Sequence, residues 1–164
     1  MAMSKLYISD TKLSEQKPYI YCICIKNPTA LVYIGQTSQK RGALGRFMQH
    51  IRTDGTLMKQ VKAIGIVDIA DVFVAAKDLT EYNIFEGVYS IPRNSLELLV
   101  QSTMKAKGCS SVIPFEVIST VANSSQIHDF EIQKIASDVT EMLCSEIPFF
   151  DNKQNGWECS NGLL

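Results

Sequence analysis

The chain has no apolar run approaching the roughly 20 residues that a membrane-spanning helix needs. Apolar stretches such as Ile64 to Val67 and Asp71 to Ala76 are cut short by charges and glycine. It lacks a secretory leader too: residues 1 to 18 scatter Lys5, Asp10, Lys12, Glu15 and Lys17 among apolar residues, with no small-residue cleavage site. A soluble, cytoplasmic protein is the expectation. No CxxC spacing occurs, and five cysteines, an odd number, support neither a zinc site nor a disulfide framework. Cys22 and Cys24, two apart in an apolar stretch, read as small hydrophobes on one face of a strand. There is no repeat, no low-complexity segment, and no zinc-finger or helix-turn-helix signature.

An excess of positive charge is missing as well. The net charge of −1 counts against a nucleic-acid partner, because Lys and Arg supply most of the affinity for phosphates. The distribution reverses that reading. Between residues 19 and 62 stand Lys26, Lys40, Arg41, Arg46, Arg52, Lys59 and Lys62 against Asp54 alone, a net of +6, so the remainder carries −7. Such asymmetry makes one positive surface. With 164 residues, 46% of them hydrophobic, the chain fits a single domain that buries about 70% of its unfolded surface.

Tyr19 to Ile25 is aromatic, β-branched or Cys throughout, Lys26-Asn27-Pro28-Thr29 is turn chemistry, and Ala30 to Gln36 is again apolar, which predicts a β-hairpin. Alternation sets Tyr19, Tyr21, Ile23 and Ile25 on one face of the first strand and Leu31, Tyr33 and Gly35 on one face of the second. If those faces coincide, Tyr21 and Tyr33 project from the same side. Thr37-Ser38 offers a cap, and Leu44, Phe47, Met48 and Ile51 recur at helical spacing up to Arg52, with Arg46 and His50 stacked one turn apart. A second short helix carries Leu57, Met58, Val61 and Ile64, and a third strand falls at Asp71 to Ala76. After a loop over 77 to 93, a helix capped by Asn94 or Ser95 starts near Leu96, with Glu97 in its first turn, and stops at Gly108. Pro114 to Val121 reads as strand or short helix, the period deciding neither. Ile127, Phe130, Ile135, Val139, Met142 and Leu143 form an amphipathic helix, and Phe149 to Leu164 is a loop-like tail.

Two phenols on neighbouring strands, a glycine that lets backbone come close, and a cation with an imidazole on the next helix make a candidate site for a phosphodiester. Hydrolysis needs a general base for water, a cation for the developing charge and usually a metal held by carboxylate. A free tyrosine titrates near 10, so holding it near neutrality takes a shift of roughly 3 units, about 4 kcal/mol of differential stabilisation. Arg46 suits phosphate because its guanidinium forms a fork. Glu97 suits one Mg²⁺ that keeps most of its waters.

Tyr19-Ile20-Tyr21, Val32-Tyr33-Ile34-Gly35-Gln36-Thr37, Arg46-Phe47-Met48-Gln49-His50 and Leu96-Glu97-Leu98-Leu99-Val100 together resemble the GIY-YIG nuclease superfamily over about residues 19 to 107. The hairpin wording is most similar to phage and restriction-type members, families that cut double-stranded DNA. The resemblance implies a mixed α/β fold with a small three-stranded central sheet flanked by helices. It divides the chain into an N-terminal arm over 1–18, a nuclease core over 19–109 and a helical C-terminal extension over 110–164 packed on that core. It implies Tyr21 as the base that activates water, Tyr33 beside the phosphate, Arg46 stabilising charge, His50 supporting Tyr21 or the phosphate, and Glu97 holding Mg²⁺ or Mn²⁺. Tyr19, Gly35, Lys40 and Arg41 are the candidate substrate-contacting residues. Double-strand cutting from one site would favour a homodimer or sequential nicking.

Two departures stand out. Tyr19 replaces the first motif's glycine, and the asparagine that many members place beyond the glutamate has no counterpart at 109 to 114, leaving Asn123 or Asn155 as substitutes. Glu131, early in the last helix, competes with Glu97 for the metal role, and Glu97 is preferred because it follows the third strand by a loop of acceptable length. The competing expectation is a catalytically inactive nucleic-acid-binding or partner-binding module of the same fold.

Overall fold

The computed structural model describes residues 5–8, 11–27, 29–66, 71–85, 91–110, 115–119 and 130–146. The strands are β1 (Lys5–Ile8), β2 (Tyr19–Asn27), β3 (Thr29–Thr37), β4 (Asp71–Asp78) and β5 (Phe115–Val117). The helices are α1 (Gly42–His50), α2 (Thr56–Ala63), α3 (Ile91–Ser110) and α4 (Phe130–Glu146). The class is mixed α/β.

The sheet has five strands in the order β1-β4-β2-β3-β5, which corrects the expectation of three. Its centre is the expected hairpin with β4: β2 runs antiparallel to β3 from Tyr19↔Thr37 to Asn27↔Thr29, and antiparallel to β4 from Tyr19↔Asp78 to Lys26↔Asp71. The two added strands lie parallel at the edges, β1 on β4 and β5 on β3. The segment read as an N-terminal arm therefore contributes an edge strand. Both edges are four residues or fewer, too short for an alternating pattern to register in the sequence.

Helices cover both faces, so the middles of the central strands are apolar on both sides. On one face Ile20, Cys22, Cys24, Val32 and Ile34 pack with Leu96, Val100 and Met104 of α3 and Ile135, Val139 and Leu143 of α4. Cys22 and Cys24 are wholly buried there as small hydrophobes. On the other face Tyr19, Tyr21, Ile23, Ile25 and Tyr33 pack with Ala43 and Phe47 of α1 and Leu57 and Val61 of α2. The two site tyrosines do share a face.

Several boundaries shift. α1 starts at Gly42 behind Arg41, which makes no side-chain cap bond; Thr37 instead accepts the Gln39 N–H at 3.1 Å. α3 begins five residues before Leu96, so Glu97 lies in its second turn, and the helix runs past Gly108. Pro92 sits in its first turn, where the missing N–H has no intrahelical acceptor to serve. Arg93, 1% exposed, donates from Nη1 to the Phe85 carbonyl at 3.0 Å and ties α3 to the 3-10 turn over Asn83–Phe85. No helix among the described residues is long and apolar enough to cross a membrane. Asn123, Asn155 and the tail from Phe149 lie outside the described residues.

Candidate active site

The hairpin register places Tyr21 opposite Gly35 and Tyr33 opposite Ile23, so the two phenols project from neighbouring strands onto α1. The Tyr21 ring lies directly over Gly35, where a Cβ would collide with the phenol oxygen and its carbon. Any side chain at 35 would expel the ring. Gly35 is thus a packing requirement of Tyr21, the close approach expected of a glycine at this position.

α1 brings His50 beneath both rings. Tyr21 Oη and His50 Nε2 are 2.7 Å apart, and the imidazole centroid is 4.6 Å from the Tyr33 ring and 5.9 Å from the Tyr21 ring. His50 is only 3% exposed. Burial, with the nearby Arg46 charge, lowers its pKa to about 4, so the imidazole is neutral at pH 7. Arg46, one turn earlier and half-buried, donates from Nη1 to Gln49 Oε1 at 2.7 Å, and its charge works to ease ionisation of the Tyr21 phenol.

Both phenols are harder to ionise than free tyrosine. Burial pushes Tyr21 up, the neighbouring Tyr33 adds to this and Arg46 opposes it; burial and the Glu97 charge push Tyr33 up to about 12, again against Arg46. The downward shift expected for a tyrosine base is therefore absent from the free protein, because desolvation outweighs one guanidinium. Tyr21 is 1% exposed and Tyr33 is 8% exposed, so Tyr33 is the more open of the two.

Glu97 reaches this group from α3, which packs on the opposite face. The way round is the far end of β3. β5 pairs with β3 only from Ala30 to Val32, and beyond it two side chains take over the ladder: the Ile34 N–H donates to Ser119 Oγ at 3.1 Å, and Gln101 Nε2 donates to the Ile34 carbonyl at 3.4 Å. The same Gln101 amide donates to Glu97 Oε1 at 3.4 Å. Gln101, 2% exposed, thereby fixes the carboxylate relative to the peptide between Ile34 and Gly35. Burial raises Glu97 to about 7 despite the Arg46 charge, so the site holds more desolvation than one guanidinium offsets.

That imbalance fits a divalent cation. Among the described residues no three His, Cys, Asp or Glu side chains gather for a metal, and Glu97 is the carboxylate that this group offers an ion. Mg²⁺ tolerates that arrangement and structural Zn²⁺ does not. Glu131 is exposed in the first turn of α4.

The structure therefore gathers Tyr21, Tyr33, Arg46, His50 and Glu97. Tyr19 stands apart: it is 1% exposed and its hydroxyl donates to the Lys12 carbonyl at 3.0 Å, so it packs β2 against the 3-10 turn over Thr11–Ser14. Lys40 and Arg41 are exposed at the start of α1, beside a groove along its outer face. Gln101 and Ser119 were missed. Gln101 is four residues after Glu97 and shares its helix face, a spacing that marks it; nothing in the sequence marks Ser119. Compared with known proteins, the chain matches no protein-family model, no characterised sequence and no solved structure.

Proposed function

We propose that the protein is a metal-dependent DNA endonuclease of the GIY-YIG type, hydrolysing phosphodiester bonds with a tyrosine as general base. The observation that carries this reading is the convergence of two phenols, an imidazole, a guanidinium and a lone carboxylate from β2, β3, α1 and α3.

Arg46 binds the non-bridging oxygens of the scissile phosphate through its fork. Catalytic hydrogen bonds commonly form only in the substrate complex. Tyr21 Oη then takes a proton from water while its own proton passes to His50 Nε2, 2.7 Å away, with the imidazole's proton on Nδ1. The hydroxide adds to phosphorus, the bond to the leaving deoxyribose oxygen breaks, and that oxygen takes its proton from solvent. This coupling answers the raised pKa of Tyr21, because the phenol never persists as a phenolate. His50 suits the role because it is neutral before the step. Arg46 meets the growing negative charge on the phosphate oxygens. Glu97 would hold Mg²⁺ or Mn²⁺, which supplies Lewis-acid neutralisation of that charge when bound.

The test is incubation with supercoiled double-stranded plasmid. Conversion to nicked or linear forms in Mg²⁺ and not in EDTA is expected. Salt-sensitive gel retardation with no cleavage in Mg²⁺ or Mn²⁺ would leave a nucleic-acid-binding module and retire the nuclease.

A further inference from the structure

Leu44 and Met48 are apolar positions of α1 that the core leaves open, Leu44 in part and Met48 more so. The inner face of that helix is supplied by Ala43, Phe47 and His50, all buried, whereas Leu44 is only partly covered and Met48 is 52% exposed. They form the floor of a groove of about 560 Å³ whose walls carry Lys40, Arg41, Gln49 and Arg52. Among the described residues three cations and no carboxylate line it; Asp54 meets Arg52 at 3.4 Å from outside, between two side chains that are 70% and 72% exposed.

The groove is built, and it joins the reaction centre. Gly45 stands in the interior of α1, where glycine costs roughly 1 kcal/mol relative to alanine. A Cβ there would collide with Arg41 Cβ, so the missing side chain lets the Arg41 stem lie along the groove. Gln49 and Arg52 also line a smaller pocket of about 200 Å³ that contains Arg46 and His50. Gln49 bridges the two, donating from Nε2 to Gln39 Oε1 at 3.4 Å and accepting Arg46 Nη1 at 2.7 Å.

We infer that this groove is a subsite for the DNA strand flanking the scissile phosphate, with Lys40, Arg41 and Arg52 on successive backbone phosphates and Leu44 and Met48 against the sugar edges between them. The inference rests on the nuclease reading for its substrate. The dimensions agree: the nine residues of α1 span about 13.5 Å at 1.5 Å each, the axial length of about four phosphates at 3.4 Å per strand. Charge complementarity favours the same occupant, since the basic stretch contains the groove and the remainder of the chain is acidic.

Binding of a fluorescent DNA duplex to the full chain, measured against salt, tests the subsite. Three variants are compared in a Glu97→Gln background: Lys40→Ala/Arg41→Ala/Arg52→Ala, the floor variant Met48→Glu, and a remote control, Lys105→Ala/Lys134→Ala, on exposed positions of α3 and α4. The groove triple is expected to lower the log–log salt slope by about 0.9 per contact, up to about 2.7 in all. Met48→Glu is expected to weaken binding about tenfold, and the control to change neither. Thermal melting checks that every variant is folded. A groove triple that matches the control overturns the subsite while leaving plasmid cleavage by the unmodified protein free to support the nuclease. Loss of binding in the groove triple, when the unmodified protein does not cleave, supports the subsite and removes the hydrolysis. Absence of duplex binding at any salt, or equal binding of an acidic peptide, overturns the subsite.

Discussion

Tyr21 and His50 share one hydrogen bond of 2.7 Å between a phenol and an imidazole that burial holds neutral. Removing the hydroxyl with Tyr21→Phe leaves the ring over Gly35 and deprives His50 Nε2 of its partner. The cost of a buried polar atom left unsatisfied is about 1–3 kcal/mol, and in a chain of this size each kcal/mol lowers the melting temperature by about 2–4 °C. Calorimetry should show that drop with an unchanged far-ultraviolet circular dichroism spectrum. A melting temperature equal to wild type would mean that the bond contributes nothing.

Gly35→Ala strikes the same phenol from below. The added methyl meets the Tyr21 oxygen and its carbon, and overpacking of this kind costs typically about 1–3 kcal/mol. The ring must turn away from His50, so hydrolysis should fall at least as far as it does in Tyr21→Phe. Restored hydrolysis in Gly35→Ala would show that ring position is immaterial.

The pH dependence of stability has two opposed sources. His50 titrates near 4 when folded and 6.5 ordinarily, so in that window the unfolded chain takes up a proton that the folded one refuses, and stability falls on acidification. Glu97 titrates near 7 when folded and 4.5 ordinarily, so its contribution is greatest below 4.5 and is lost as pH rises to about 7. The wild type should therefore be nearly flat between these limits. Urea midpoints for His50→Gln should decline from pH 4.5 to 7, and those for Glu97→Gln should climb from pH 4 to 6.5; parallel slopes in the two variants would contradict the assignment.

Metal binding at Glu97 competes with a proton. Below pH 7 the Mg²⁺ concentration giving half-maximal cleavage should rise roughly tenfold per unit, following the protonated fraction. Glu97→Gln should abolish the Mg²⁺ response, and Glu131→Gln, at an exposed position on α4, should retain it. A lost response in Glu131→Gln would move the metal role there.

Arg46→Lys keeps the charge and loses the fork. Its rate should remain well below wild type at saturating DNA, because an ammonium cannot engage two phosphate oxygens in the same plane. Full activity in Arg46→Lys would reduce Arg46 to a point charge.

The central hairpin, the shared tyrosine face and the Arg46–His50 stack were legible because each is set by local periodicity, two on a strand and four on a helix. The edges of the sheet were not, since β1 and β5 are fixed by pairing with β4 and β3 and their own few residues carry no period. The start of α3 was misread at Asn94 and Ser95 because Pro92 opens the helix without needing a cap. Motif position marked Tyr19 and Gly35, but their surroundings, the Lys12 carbonyl at the Tyr19 hydroxyl and the Tyr21 ring over Gly35, are set by register and packing. The direction of the tyrosine pKa shifts was beyond the sequence, because it depends on how much solvent the closed core admits.

Single-turnover cleavage of duplex DNA by wild type, Tyr21→Phe and Tyr33→Phe, at saturating protein in Mg²⁺, tests the general-base assignment most directly. A loss of about 10²–10⁴-fold in Tyr21→Phe, with a smaller loss in Tyr33→Phe and unchanged duplex binding in both, is the predicted result. Cleavage by Tyr21→Phe at the wild-type rate would contradict it.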